Sequence, residues 1–311
     1  MTDLEQALTA PGRRPGAAAR WPRRLGRLPP QSFFAVSAVF HYLGPAFAVL
    51  LFAHLDVLGV AWLRIAGAAA VFAVWRRPWR LLAGMDRRGR LLLARLGAVL
   101  AAMNVLFYLA VARLPLATVG AVEFLGVVLL ATAGVRTRRN AAALALTIGG
   151  VAALADLRLA GQPLGFAFAF GNCALFMLYV VLGHRVANTD AGTGPMSGID
   201  QLGAAMLVAT VVVTPVGLRG ALAAFPDPAL LAAGVGVGVC SSVVPYVTDQ
   251  LAMARLPRAS FALMLALLPM VGTIIGAVVL RQLPTGQDLL GIALVVAGVA
   301  RHQVPAGGMA G

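Results

Sequence analysis

Long apolar segments with few charged residues set the strongest limit on how this chain can fold. Ten such segments follow one another, each near the length of about 20 residues that an α-helix needs to cross a bilayer. Only 12% of the residues are charged, against roughly 25% in a soluble domain, so lipid must solvate most of the surface. The sequence predicts an all-α polytopic membrane protein with ten transmembrane helices, at roughly residues 33–53, 57–75, 91–111, 116–134, 140–157, 163–183, 198–217, 229–254, 258–280 and 285–301.

The arginines indicate in which direction these helices cross the membrane. Basic residues concentrate in the cytoplasmic connections of membrane proteins, and with the N-terminus inside, 19 arginines fall on the cytoplasmic side and four outside. Both termini are therefore predicted to be cytoplasmic, residues 1–32 as a disordered basic tail and residues 303–311 as a short tail. Because the net charge of +14 follows this topology, it does not indicate nucleic-acid binding.

Two similar segments indicate an internal repeat. LAVARLPLAT at 109–118 and LAMARLPRAS at 251–260 share seven of ten residues at an offset of 142. Five helices per half is an odd number, so the two halves must be inverted relative to each other. The chain is predicted to contain two inverted five-helix repeats, 33–157 and 163–302, an architecture typical of transporters with a midplane site. The alternative is chance similarity between two Leu-Pro turns.

Three polar residues fall at one predicted depth inside the membrane. Glu123, Arg64 and Asn104 each lie about seven residues from the outer end of their spans, or ~10 Å below the outer surface. Ionisable groups at this depth are expensive and are functional candidates. The carboxylate and ammonium of an amino acid would suit the guanidinium of Arg64 and the carboxylate of Glu123.

Other roles for this pair stay open. Arg64 and Glu123 could neutralise each other and only hold two helices in register. Glu123 could also carry a proton, since burial and a neighbouring arginine act on a carboxyl group in opposite directions.

Three further residues are expected to line the same cavity. Tyr246 corresponds to Asn104 at the offset of 142, and Tyr108 is an aromatic neighbour on the third span. His41 precedes Pro45 in the first span, where a proline marks a possible hinge. Asp249, near the cytoplasmic end of the eighth span, is expected to be a solvated interfacial acid.

The segments WLRIAGA (62–68), MNVLFYLAVARLPLATVGAVEFLG (103–126) and SSVVPYVTDQLAMARLPRASFALMLALLP (241–269) resemble the EamA family of the drug/metabolite transporter superfamily. Within it they are most similar to inner-membrane threonine and homoserine exporters, a resemblance that implies the inner membrane of a bacterial cell as the location. The resemblance implies a secondary transporter that exports a small metabolite, such as threonine, homoserine or an analogue, by alternating access. The second half departs from the family pattern, because Leu268 precedes Pro269 where an acid is usual, and Arg281-Gln282 replaces a second acid.

Two other functions were compared with this one. Export of drugs or lipophilic cations would use the same membrane acid with its aromatic neighbours. A membrane-embedded enzyme would need clustered acids for a metal, or a nucleophile with its base, and the sequence has neither pattern, so no enzymatic activity and no cofactor are predicted. The expected partners are a small-molecule substrate, with or without a coupled proton, and the lipid bilayer, for either a monomer or a homodimer.

Overall fold

The computed structural model describes residues 30–134, 137–155, 162–187, 195–253 and 268–301. The basic tail, residues 254–267 and the C-terminal tail lie outside these ranges, and with them most of the second repeat segment, 251–260. The helices are α1 (Pro30–Leu51), α2 (Val57–Arg76), α3 (Trp79–Gly84), α4 (Arg87–Val111), α5 (Leu116–Gly134), α6 (Arg138–Ala155), α7 (Pro163–Ala187), α8 (Pro195–Ala221), α9 (Pro228–Gly238), α10 (Val244–Met253), α11 (Leu268–Leu280) and α12 (Gly286–Arg301).

The helices coincide with the apolar segments. By length and composition, six described segments are long and apolar enough to cross a membrane: Ser32–Leu51, Val57–Arg76, Arg87–Val111, Pro163–Gly183, Gly198–Ala224 and Pro228–Asp249. Leu116–Gly126 and Leu268–Leu280 are shorter apolar helices. An all-α, multi-pass membrane protein is thus confirmed, and the count of ten spans stays a prediction.

The distribution of polarity is that of a protein surrounded by lipid. Large apolar side chains are exposed on the outside of the bundle, with Val74 84% and Val278 74% exposed. Polar side chains such as Asn104, Asn172 and Ser242 are buried inside. Lipid-facing surfaces must be apolar because hydrocarbon offers no hydrogen bonds, so polar side chains have collected in the interior.

Aspartates outside the apolar segments cap helices. Asp56 accepts hydrogen bonds from the N–H groups of Leu58 and Gly59 at the start of α2. Asp86 caps α4 and Asp227 caps α9 in the same way. An N-terminal carboxylate satisfies backbone donors that have no partner within the helix, so these three acids have structural roles.

Contacts between helices occur in matched pairs. The contacts α4–α7, α4–α8 and α5–α7 have counterparts in α10–α1, α9–α2 and α11–α1. Three further pairs, α2–α8, α5–α11 and α6–α12, join helices at equivalent positions of the two halves. Exchanging α1–α6 in order, without the short α3, for α7–α12, with α9 and α10 as one unit, turns each of the first three contacts into its counterpart and leaves the last three unchanged.

Helix ends that the arginine count puts on one side of the membrane lie together. The guanidinium of Arg76 donates to the carboxylate of Asp200 at 2.7 and 3.0 Å, joining the predicted cytoplasmic ends of α2 and α8. At the predicted outer side, the backbone N–H of Leu116 donates to Gln282 Oε1 at 3.2 Å. In each pair, the C-terminal end of one helix thus lies beside the N-terminal end of the other.

The glycines of GVGVGV in α9 allow two helices to approach closely. A Cβ at Gly238 would lie 2.5 Å from the carbonyl oxygen of Arg64, and one at Gly234 would lie 2.7 Å from Leu63 Cδ1. Gly236 has nothing within 4 Å of its Cβ position. Small residues permit such backbone approach in membranes, and here they place α9 directly against the turn of α2 that carries Arg64.

Candidate functional site

A local irregularity between α9 and α10 exposes backbone polar groups inside the bundle. Residues Val239–Val243 form a π-helical turn, and Pro245 follows it. Proline has no N–H, so it cannot donate to the carbonyl of Ser241 four residues earlier. Turns of this type occur often at functional sites, and this one aims the Ser241 carbonyl at α2.

Arg64 occupies this position. Its Nη2 donates to the carbonyl oxygen of Ser241 at 3.4 Å, and its Nε donates to Ser242 Oγ at 3.3 Å. Its guanidinium carbon lies 5.3 Å from the centre of the Tyr108 ring, a cation–π contact between α2 and α4. Three contacts hold the half-buried guanidinium in one place, as recognition of a carboxylate requires.

Glu123 lies close to Arg64 without forming a contact ion pair. The carboxyl group is near enough to Arg64 to interact with its charge, and the amide of Asn172 lies beside it. Within the described part of the chain, the ion pair with N–O contact below 4 Å is Arg76–Asp200. Glu123 is half-buried on a stretch of α5 whose neighbours are buried. A direct Arg64–Glu123 bridge, the purely structural alternative, is therefore not observed.

Buried polar atoms without hydrogen-bond partners surround these two charges. Four buried polar atoms have no hydrogen-bond partner among the described residues: the amide nitrogen and oxygen of the Asn172 side chain and the hydroxyl oxygens of Tyr108 and Ser241. Asn172 and Tyr108 are each 0% exposed. Buried polar atoms without a hydrogen-bond partner are rare in native structures, so each of them needs a physical explanation. We call Arg64, Glu123, Tyr108, Asn172 and Ser241 the polar centre.

His41 faces the interior of the bundle. The lipid-facing stripe of α1 contains Val36, Val39, Phe47 and Leu50, and at about 100° per residue His41 lies roughly opposite this stripe. His41 is nevertheless exposed, and it is close enough to Arg64 to interact with its charge. Its exposed surface therefore belongs to space inside the protein, next to the polar centre.

The remaining predicted residues divide into two groups. Tyr246 is half-buried and close to both Arg64 and Glu123. Asn104 is buried, but its amide nitrogen donates to the Leu100 carbonyl of its own helix at 2.8 Å, so its side chain does not contact the charged pair. Asp249 was expected to be solvated, whereas it is half-buried and lies beside the Ser37 hydroxyl.

Sequence reasoning missed Asn172, Ser241 and Ser242. Asn172 is a single amide in the apolar segment 163–183, and that signal could have identified it. The Ser-Ser pair four residues before Pro245 was a second signal, because proline frees a carbonyl at this distance.

Known proteins resemble this chain in sequence and in fold. No family model matches the chain. The chain is 28% identical over 260 residues to the threonine/homoserine exporter RhtA of Salmonella typhimurium strain LT2, covering 82% of this chain and 84% of that protein. RhtA of Escherichia coli K12 matches with the same identity and coverage. A crystal structure of another protein aligns with a TM-score of 0.56 and 19% identity over 87% of this chain and 96% of its own, which shows a shared fold.

These similarities identify the class of protein. The relatives are exporters, so this chain is a membrane transporter and not an enzyme. It is a multi-pass protein of the bacterial inner membrane, as the resemblance to inner-membrane exporters implied. The similarity to RhtA also supports the resemblance to threonine and homoserine exporters found in the sequence.

Proposed function

We propose that this protein exports a small amino acid, such as threonine, homoserine or an analogue, and that the polar centre binds it. One observation carries this proposal. Hydrogen bonds hold the guanidinium of Arg64 near the carboxylate of Glu123, and the two groups form no ion pair. The buried amide and hydroxyl groups around them have no hydrogen-bond partner among the described residues. A zwitterion presents a carboxylate to Arg64 and an ammonium to Glu123. The side-chain hydroxyl of threonine or homoserine would satisfy Asn172 or Ser241. The named function of the RhtA relatives supports the same substrate class.

The proposed mechanism is alternating access between two inverted five-helix halves of a ten-span EamA-type protein with both ends in the cytoplasm. The paired helix contacts support it, because exchanging the halves preserves them. The polar centre supports it as well, since Arg64, Tyr108 and Glu123 come from the first half, while Asn172 and Ser241 come from the second. Rocking one half against the other would open and close the site.

Substrate exchange in proteoliposomes tests the proposal. Purified protein is reconstituted with unlabelled amino acid inside, and uptake of labelled threonine or homoserine is measured. We expect Glu123→Gln and Arg64→Ala each to lower exchange about 10- to 100-fold, because each removes a charge-assisted contact of about 1.5–3 kcal/mol. Arg95→Ala is the matched control, since Arg95 is an exposed arginine of α4 and the change removes the same charge.

The outcomes distinguish the alternatives. Normal membrane insertion with unchanged exchange in both variants would refute the site. Poor insertion of each single variant, restored in the double variant, would instead favour a structural charge pair. Transport of a lipophilic cation, without exchange of either amino acid, would favour drug export in place of the proposed function.

A further inference from the structure

The described acids fall into two groups by what their carboxylates contact. Five have structural partners: Asp56, Asp86 and Asp227 cap helices, Asp200 binds Arg76, and Asp288 accepts from the backbone N–H and hydroxyl of Thr285 at 2.9 Å. Glu123 and Asp249 have no cap or ion pair within the part of the chain that the structure describes. The polar centre explains Glu123, and Asp249 has no role so far.

Asp249 lies among hydroxyl groups from three helices. Ser37 of α1 lies beside the Asp249 carboxylate, and the Ser37 hydroxyl donates its hydrogen bond to the Pro245 carbonyl at 3.4 Å. Tyr179 of α7 and Tyr246 of α10 lie next to each other and within range of the Asp249 charge. All four side chains are in the interior, and on α7 Tyr179 shares the inward face with Asn172, seven residues away.

This group continues the polar centre toward the cytoplasm. Asp249 is eight residues beyond Ser241, or about 12 Å along the helix at 1.5 Å per residue. Tyr246 connects the two regions, because it is close to Arg64 and Glu123 on one side and to Asp249 on the other. On α1, Ser37 and His41 lie one turn apart on the inward face, so polar groups follow each other on both helices.

We infer that Asp249, with Ser37, Tyr179 and Tyr246, forms a second binding subsite that receives the ammonium group of the substrate on the cytoplasmic side. A half-buried carboxylate surrounded by hydroxyl groups suits a primary ammonium, which has three N–H donors and needs acceptors. The ammonium binds Asp249 first and then passes to Glu123 as the carboxylate reaches Arg64. This inference rests on the proposed function.

Exchange and net transport together test the subsite. Net efflux driven by a proton gradient and substrate exchange without a gradient are measured from the cytoplasmic face for wild type and Asp249→Asn. We expect Asp249→Asn to raise the half-saturating amino-acid concentration about tenfold or more in both assays, with the maximal rate little changed. Asp249→Glu keeps the charge and should retain most of the affinity, and Ser37→Ala should raise the half-saturating concentration a few-fold. Asp227→Asn is the matched control, because asparagine also caps a helix and the same charge is lost.

Each result has a distinct meaning. Intact exchange with loss of proton-driven efflux would make Asp249 a proton carrier and overturn the subsite. An unchanged half-saturating concentration in Ser37→Ala and in well-folded Asp249→Asn would overturn it as well. If Asp249→Asn does not insert, normal affinity in Ser37→Ala together with loss of affinity in Asp249→Glu would still refute the arrangement. Failure of the wild type to exchange any amino acid would refute the proposed function itself.

Discussion

The contact between α9 and α2 yields a prediction that can be calculated from the structure. In Gly238→Ala, the new Cβ would lie 2.5 Å from the Arg64 carbonyl oxygen and 3.0 Å from the Ala68 nitrogen. A carbon–oxygen contact needs about 3.3 Å, so the two helices must separate by about 0.8 Å. Both clashing atoms belong to a helix backbone and cannot rotate away. Overpacking of this kind costs about 1–3 kcal/mol.

Alanine substitutions at the neighbouring glycines provide an internal comparison for this loss of stability. Gly236→Ala meets nothing within 4 Å and should stabilise the helix by up to about 1 kcal/mol. Gly234→Ala meets the Leu63 side chain, which can move, so its effect should be intermediate. The difference between Gly238→Ala and Gly236→Ala is then about 1–4 kcal/mol.

Thermal stability ranks the three variants. It is measured by heating the detergent-solubilised protein and determining the fraction that stays monodisperse. A difference of about 1–4 kcal/mol corresponds to a shift on the order of 2–10 °C between Gly238→Ala and Gly236→Ala. Gly238→Ala should also reduce exchange, because the separation moves Arg64 away from Ser241 and Ser242. Equal thermal shifts at all three glycines would refute the close approach of α9 to α2.

Three further predictions concern separate parts of the fold. Asn172→Leu should lower amino-acid affinity about tenfold at normal expression, because it removes the amide beside Glu123; unchanged affinity in the exchange assay would exclude Asn172 from the site. Asp200→Asn should lower the free energy of unfolding by about 1 kcal/mol or less, because the side chains of the Arg76–Asp200 ion pair are 22% and 26% exposed. The resulting drop in the thermal unfolding midpoint should be smaller in high salt, which screens the pair. A C-terminal reporter that is active only in the periplasm should stay inactive in cells, and activity there would contradict the predicted cytoplasmic C-terminus.

Much of the architecture could be predicted because lipid imposes simple rules. Hydrocarbon permits only apolar segments with internal hydrogen bonds, so the apolar runs coincide with helices. The structure also places Asp56, Asp86 and Asp227 at helix N-termini, a position that aspartate favours. The charged members of the site were predicted as well, because charges inside apolar runs are rare.

The partners of those charges could not be predicted in the same way. Asn104 has the predicted depth, yet its amide bonds to its own helix, since depth does not specify the direction of a side chain. Asp249 appeared interfacial by counting residues, yet α1 and α7 cover it. Gln282 accepts a hydrogen bond from the backbone N–H of Leu116 at the turn before α5, a contact that the sequence comparison did not indicate.

The sequence by itself determined that this is a helical membrane protein, which segments form its helices, and that Arg64 and Glu123 lie inside the apolar region. These properties depend on the chemistry of single residues and on spacing along one helix. Tertiary structure alone decided that Ser241, Ser242 and Tyr108 hold the guanidinium, that Glu123 stays unbridged beside Asn172, and that Asp249 lies in the interior. The physical reason is that helix rotation and glycine-mediated approach arise from packing between distant segments, which brings residues up to 208 positions apart into hydrogen-bonding contact.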